Sequence, residues 1–146
     1  MKIVIQRVSS ASVRSESEKL GVIGRGLLLL VGIRKGDKRE DVEWCCEKIR
    51  KMRIFDDPEG RMNLSVEDVE GELLIVSQFT IYGDPSRGNR PSYSEAADPG
   101  HAEELYDYML HYLENNFAGP VAAGRFGSYM EVDLSNDGPV TLILDR

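Results

Sequence analysis

A chain of 146 residues has room for one domain, and 41% hydrophobic with 29% charged residues is a globular composition that excludes collagen-like, disordered and disulfide-scaffold classes. The longest apolar run, residues 27–31, falls far short of the roughly 20 residues of a membrane span, and Met1-Lys2-Ile3 leads directly into strand-like sequence, so the expectation is a cytoplasmic protein with no membrane anchor. The net charge of −7 argues against coating duplex nucleic acid, yet residues 34–53 hold eight Lys or Arg against five Asp or Glu, a net +3 on a remainder of −10.

Ile3, Ile5 and Val8 alternate with polar residues and 11–13 continue the extended pattern, so residues 2–14 read as a half-buried strand bent near Ser9-Ser10. Polar residues 15–19 turn the chain. Residues 20–33 are β-rich, and Gly21, Gly24, Gly26 and Gly32 interrupt them as in a bulged or bent strand, spelling no phosphate-loop pattern. Asp37 is placed to cap a helix in which Val42, Cys45, Cys46, Ile49 and Met52 follow the i, i+3, i+4, i+7 rule. That makes the adjacent cysteines core thiols, not a disulfide or zinc pair. Residues 56–60, DDPEG, form a turn, and no metal site is inferred from their acids.

Residues 73–82, LLIVSQFTIY, read as a buried strand whose end turns polar at Ser77, Gln78 and Thr80. After a loop over 83–94, Asp98-Pro99 starts a second helix with Ala102, Leu105, Met109 and Tyr112 or Leu113 facing inward, stopped by Asn115-Asn116 and Gly119-Pro120. Extended stretches follow at 121–126, 129–134 and 140–144, the last two separated by 135–139. The expectation is a single α+β domain over 1–146, with mainly antiparallel sheets in a barrel-like arrangement and two main helices.

Familiar catalytic machinery is missing. Cys or Ser nucleophiles need a base, and the two histidines, His101 and His111, lie on or beside the second helix among ordinary surface residues. There is no HExxH, P-loop or GxSxG elbow. Two segments offer hydroxyls, an amide and accessible backbone: Ser77-Gln78-Phe79-Thr80 at a strand end and residues 136–141, NDGPVT, in a tight connection. The basic segment has two readings, a solvated helix face with internal pairs such as Glu47–Lys51, or a phosphate-binding stripe through Lys48, Arg50, Lys51 and Arg53.

SQFT (77–80) and NDGPVT (136–141), with IQRV (5–8), RMN (61–63), RGNRPSYS (87–94), LYDY (105–108) and GRFGSYM (124–130), resemble the D-aminoacyl-tRNA deacylase family in order over essentially the whole chain. The departures are a turn at 15–19 without the usual glycine and Ile81 for a common leucine. The resemblance implies hydrolysis of the ester joining a D-amino acid to the 3′ end of tRNA by a homodimer without metal or organic cofactor. It also implies that Ser77, Gln78, Phe79 and Thr80 line the pocket. Gly138-Pro139, joined by a cis peptide, would enter that pocket across the dimer interface, with Arg7 and Met130 holding the loop.

An aminoacyl ester is already activated, so the residues would mainly place a water and stabilise the oxyanion, with backbone N–H groups near Phe79 and Thr80 as donors and the substrate's 2′-hydroxyl assisting. Thr80 as covalent nucleophile is the rival mechanism. Two rival functions stand beside this. Clearance of misacylated L-alanyl-tRNA is disfavoured because Ser77 and Phe79 stand where that relative has Pro and Ala. A non-enzymatic nucleic-acid-binding module is disfavoured because no added C-terminal tail of the kind linked to DNA binding follows Thr141.

Overall fold

The computed structural model describes every residue, Met1–Arg146. Alternation at the start of the chain fixes the middle of its sheet: Ile3, Ile5, Val8, Ala11 and Val13 are buried along β1 (Lys2–Ser15). On one side β1 pairs antiparallel with β2 (Glu18–Ile23) and β3 (Gly26–Gly32). The two share one register, from Ala11 opposite Ile23 to Val8 opposite Gly26, so residues 18–32 are the bent strand that the glycines foretold, broken at Gly24-Arg25. The turn between β1 and β2 places Glu16 at φ 53, in the left-handed region usually left to glycine.

Beyond β3 the order continues through β6 (Glu72–Ser77) and β7 (Val121–Ala123), both pairings parallel. A two-stranded hairpin of β4 (Phe55–Asp56) and β5 (Met62–Leu64) stands apart. β7 comes back against β2, which leaves the sheet nearly closed into a barrel. A Cβ on Gly21 would lie 3.1–3.3 Å from Leu74, Ala122 and Ala123, so a bare glycine permits this approach.

Both faces of the sheet are buried, which is why 27–31 and 73–76 are continuously apolar instead of alternating. Ile3, Ile5, Leu27, Leu29, Leu73 and Ile75 face the helices α1 (Arg39–Lys51) and α2 (Pro99–Asn116), while Val8, Val13, Ile23, Leu28, Leu74 and Val76 fill the curl of the sheet. The fold is α+β, as the sequence leads one to expect.

Four expectations need correction. Asp37 does not cap α1; it is buried and accepts the Met1 amine at 2.7 Å and the Arg34 N–H at 2.8 Å, while Lys38 is the N-cap and Asp41 accepts its N–H at 3.0 Å. The strand expected over 73–82 stops at Ser77, and Phe79–Tyr82 form a 3₁₀ turn. Of 121–126 only Val121–Ala123 is strand. The stretches 129–134 and 140–144 belong to one strand, β8 (Glu131–Asp145), on the other side of β1. Its register along β1 jumps from Asn136 opposite Val8 to Thr141 opposite Gln6, so residues 137–140 bulge out of the ladder.

Candidate active site

Where β6 ends, its last pair with Val31 of β3 is followed by one more bond, the Gln78 N–H to the Val31 carbonyl at 2.8 Å, after which the chain coils into the 3₁₀ turn. The first N–H groups of such a turn have no partner inside it. Phe79 and Thr80, the first two residues of the turn, supply these N–H groups. The Gln78 side-chain amide donates to Thr80 Oγ1. Phe79 is 57% exposed and meets the edge of Tyr93 at a centroid distance of 5.1 Å.

These residues line a cleft of about 810 Å³, together with Val31 near the end of β3, Ile33 and Lys35 just after it, residues 96–99 and Ala102 leading into α2, and the segment 126–130. Its lining is mostly apolar, with Asp98 as its carboxylate and Lys35 as its cation. Met130 and Tyr129 are in its wall, Tyr129 being 83% exposed. A Cβ on Gly124 would lie 2.7 Å from Met130 Sδ, so Met130 packs where that glycine leaves room.

Tyr106 underlies the wall and is a residue that the inward stripe through Ala102, Leu105 and Met109 does not include. It is 1% exposed, its hydroxyl lies 2.9 Å from the Ile75 carbonyl and 3.1 Å from that of Gly124, and its ring packs on Phe126. Burial raises its phenol well above the ordinary range. The signal was present in LYDY: a tyrosine next to the stripe has the reach to tie a helix to strand carbonyls.

The second motif lies outside the cleft. Among residues 131–146 only Val132 lines it, and Arg7 does not. The bulge 137–140 is held instead by Arg7, whose Nε lies 3.2 Å from both the carbonyl and a carboxylate oxygen of Asp137, while Nη1 donates to the Ile54 carbonyl at 2.7 Å. Asn136 Nδ2 donates to the carbonyls of Arg7 and Val140, and Thr141 Oγ1 donates to Asn136 Oδ1. Gly138 has φ 118 and the Gly138-Pro139 peptide is cis. A Cβ on Gly138 would lie 2.9 Å from Arg7 Nη2, so only glycine fits under this guanidinium. Arg7 thus touches the loop, whereas Met130 sits in the cleft wall.

Two of the four cations of the basic stripe are paired with acids. Arg50 pairs with Glu47 and Glu67 and Lys51 with Glu47, each at 2.6 Å, while Lys48 lies over the Trp44 ring. The Lys51 hydrogen bond, aided by Arg50, holds the Glu47 carboxyl below the usual range. Arg53 has no acidic partner within ion-pair distance. Cys45 and Cys46 are free and fully buried, and burial pushes both thiols up to about 12. No group of His, Cys, Asp and Glu is arranged to hold a metal, and no helix is long and apolar enough to cross a membrane.

Comparison with known proteins fits this geometry to a lineage. The family model described as D-Tyr-tRNA(Tyr) deacylase matches residues 4–145. The D-aminoacyl-tRNA deacylase of Thermosipho melanesiensis is 50% identical over 145 residues, covering 99% of this chain and 97% of the relative. That of Chloroherpeton thalassium is 52% identical over 99% of this chain and 95% of its own. The solved structure of c-Myc DNA Unwinding Element Binding Protein matches with a TM-score of 0.94 at 38% identity, over 100% of this chain and 99% of that one. A probable eukaryotic D-amino acid tRNA deacylase shares the fold, with a TM-score of 0.84 at 17% identity over 99% of this chain and 98% of that one. With the family model matching residues 4–145 and half its residues identical to curated relatives, the chain belongs to the D-Tyr-tRNA(Tyr) deacylase family.

Proposed function

We infer that this chain is an ester hydrolase that releases D-amino acids from the 3′ end of tRNA, the activity for which its curated relatives are named. The observation that carries the mechanism is the 3₁₀ turn at the end of β6, whose first two residues, Phe79 and Thr80, line a mostly apolar cleft, the first N–H groups of such a turn having no partner inside it. Fixed donors of this kind suit the oxyanion of ester hydrolysis, and a water-poor wall strengthens them. The chemistry asks little else of the protein, because the ribose leaving group is good and its neighbouring hydroxyl can assist. Thr80 is a poor nucleophile here: its hydroxyl accepts from the Gln78 amide, and neither histidine lines the cleft. The exposed Phe79 ring, steadied by Tyr93, offers a stacking face for the terminal base.

The reading extends to a homodimer in which Gly138-Pro139 of one protomer enters the cleft of the other. Two observations support it: the loop is built and exposed yet lies away from its own chain's cleft, and β8, a fifteen-residue strand with one neighbour, exposes Leu134, Leu142 and Ile143. A backbone wall against the substrate Cα rejects an L side chain by clash and admits hydrogen, so glycyl-tRNA should pass while L-aminoacyl-tRNAs do not. A cytoplasmic location follows from the substrate.

The test is release of amino acid from D-Tyr-, L-Tyr- and Gly-tRNA, repeated on dilution through the dimer dissociation range. Hydrolysis of the D and glycyl esters that falls as dimers dissociate is expected. Binding of tRNA or DNA without any release would favour the non-enzymatic alternative, and full activity in a monomer would remove the cross-protomer loop.

A further inference from the structure

The substrate reading leaves open what grips the RNA, and the obvious candidate, the basic stripe of α1, has spent much of its charge on Glu47 and Glu67. Residues 85–94, PSRGNRPSYS, are different. They contain Arg87 and Arg90 and no acid, on a chain of net charge −7. Both arginines are exposed, and neither has a carboxylate within ion-pair distance.

The loop is also fixed to the cleft. Asp84 and Ser92 exchange backbone hydrogen bonds of 2.8 and 2.9 Å across its base, and Tyr93 meets Phe79 edge-on. Asp84 is occupied with the Ser86 N–H at 2.9 Å, a bond that holds its carboxyl below the usual range. At the far end the Lys35 N–H donates to the Glu95 carbonyl at 3.1 Å, which brings the cleft's own cation beside the loop. Arginines left unpaired on a pinned loop at the rim of a cleft are suited to an anionic chain leading out of it.

We propose that the loop 85–94 is the RNA-backbone grip of this protein, with Arg87 and Arg90 on phosphates of the unpaired 3′ end and Lys35 nearest the cleft. This deepens the proposed function, and two substrates separate the two. D-tyrosyl-tRNA carries the phosphates; 3′-O-(D-tyrosyl)adenosine carries the ester and the base but no phosphate.

The experiment compares the wild-type protein with the Arg87→Gln/Arg90→Gln double variant and with charge reversal at Lys48, Arg50, Lys51 and Arg53. Each is assayed for kcat/KM on both substrates and for binding of uncharged tRNA, over a range of salt. Each lost single-strand phosphate contact lowers the log–log salt slope by about 0.7, so two lost contacts make the variant roughly sevenfold less sensitive than wild type between about 50 and 200 mM salt. The expected result is weaker tRNA binding and lower kcat/KM on D-tyrosyl-tRNA, with the adenosine ester hydrolysed at the wild-type rate. Equal losses on both substrates would make the loop a wall of the cleft and overturn the proposal. So would unchanged tRNA affinity and slope in the loop variant, or losses confined to the α1 variant. If wild type hydrolyses neither ester, the deacylase reading fails, and the tRNA-binding arm still decides the grip.

Discussion

Replacing Arg7 by Gln probes the support of the 137–140 bulge most directly. Its guanidinium is 7% exposed and holds Asp137, Asp56 and the Ile54 carbonyl at once. The carboxylates of Asp137 and Asp56 are 47% and 49% exposed, so solvent screens both pairs and each is worth about 0–1 kcal/mol. The Ile54 carbonyl is buried at 2.7 Å from Nη1, and leaving it without a donor costs about 1–3 kcal/mol. The total, about 1–5 kcal/mol, corresponds to a fall in Tm of roughly 2–20 °C for a domain of this size. Thermal and urea unfolding measure this. Deacylation at a temperature where the variant remains folded measures whether the loop is still presented. Arg7→Lys keeps the charge but loses the fork, and should fall between wild type and Gln on both readouts. A destabilisation below about 0.5 kcal/mol would refute the energetic argument. Wild-type kcat/KM in folded Arg7→Gln would refute the functional role of the loop's support.

Thr80→Ala should retain appreciable activity and no acyl-enzyme should be trapped on quenching; complete loss, or a covalent adduct on Thr80, would make it the nucleophile. Tyr106→Phe keeps the buried ring but removes the one hydroxyl proton that lies between the Ile75 and Gly124 carbonyls, and since the Ile75 carbonyl keeps the Gly124 N–H it should cost about 0.5–1.5 kcal/mol in urea unfolding, with a rise in KM as the Phe126 wall loosens. Cys45 and Cys46, with thiols pushed up to about 12, should resist a thiol reagent at mildly alkaline pH in the native protein and both react once it is unfolded; fast labelling of the native protein would contradict their burial.

Local pattern carried far in this chain. Alternation from Ile3 to Val13, the helical stripe through Val42, Cys45, Cys46 and Ile49, and the Asp98-Pro99 start were legible because burial on one face leaves a period in the sequence. The SQFT and NDGPVT segments stood out as polar groups in otherwise apolar or turn-forming surroundings. Tertiary structure decided what they become. Ser77-Gln78-Phe79-Thr80 has the composition of a strand end, yet once the Gln78 N–H has bonded to Val31 the ladder stops, and the chain coils into a turn whose residues line the cleft. Asp37 has the composition of a cap, but a nearby buried ammonium outbids a helix N–H for its carboxylate. Charge counting marked residues 34–53 as basic and left paired face and phosphate stripe both open; the fold, by bringing Glu67 to Arg50, added a partner that spacing along the helix does not show. Periodicity records which face a residue turns to the core; which partner a polar or charged group finds there depends on chain segments remote in sequence, and that is settled only when they meet.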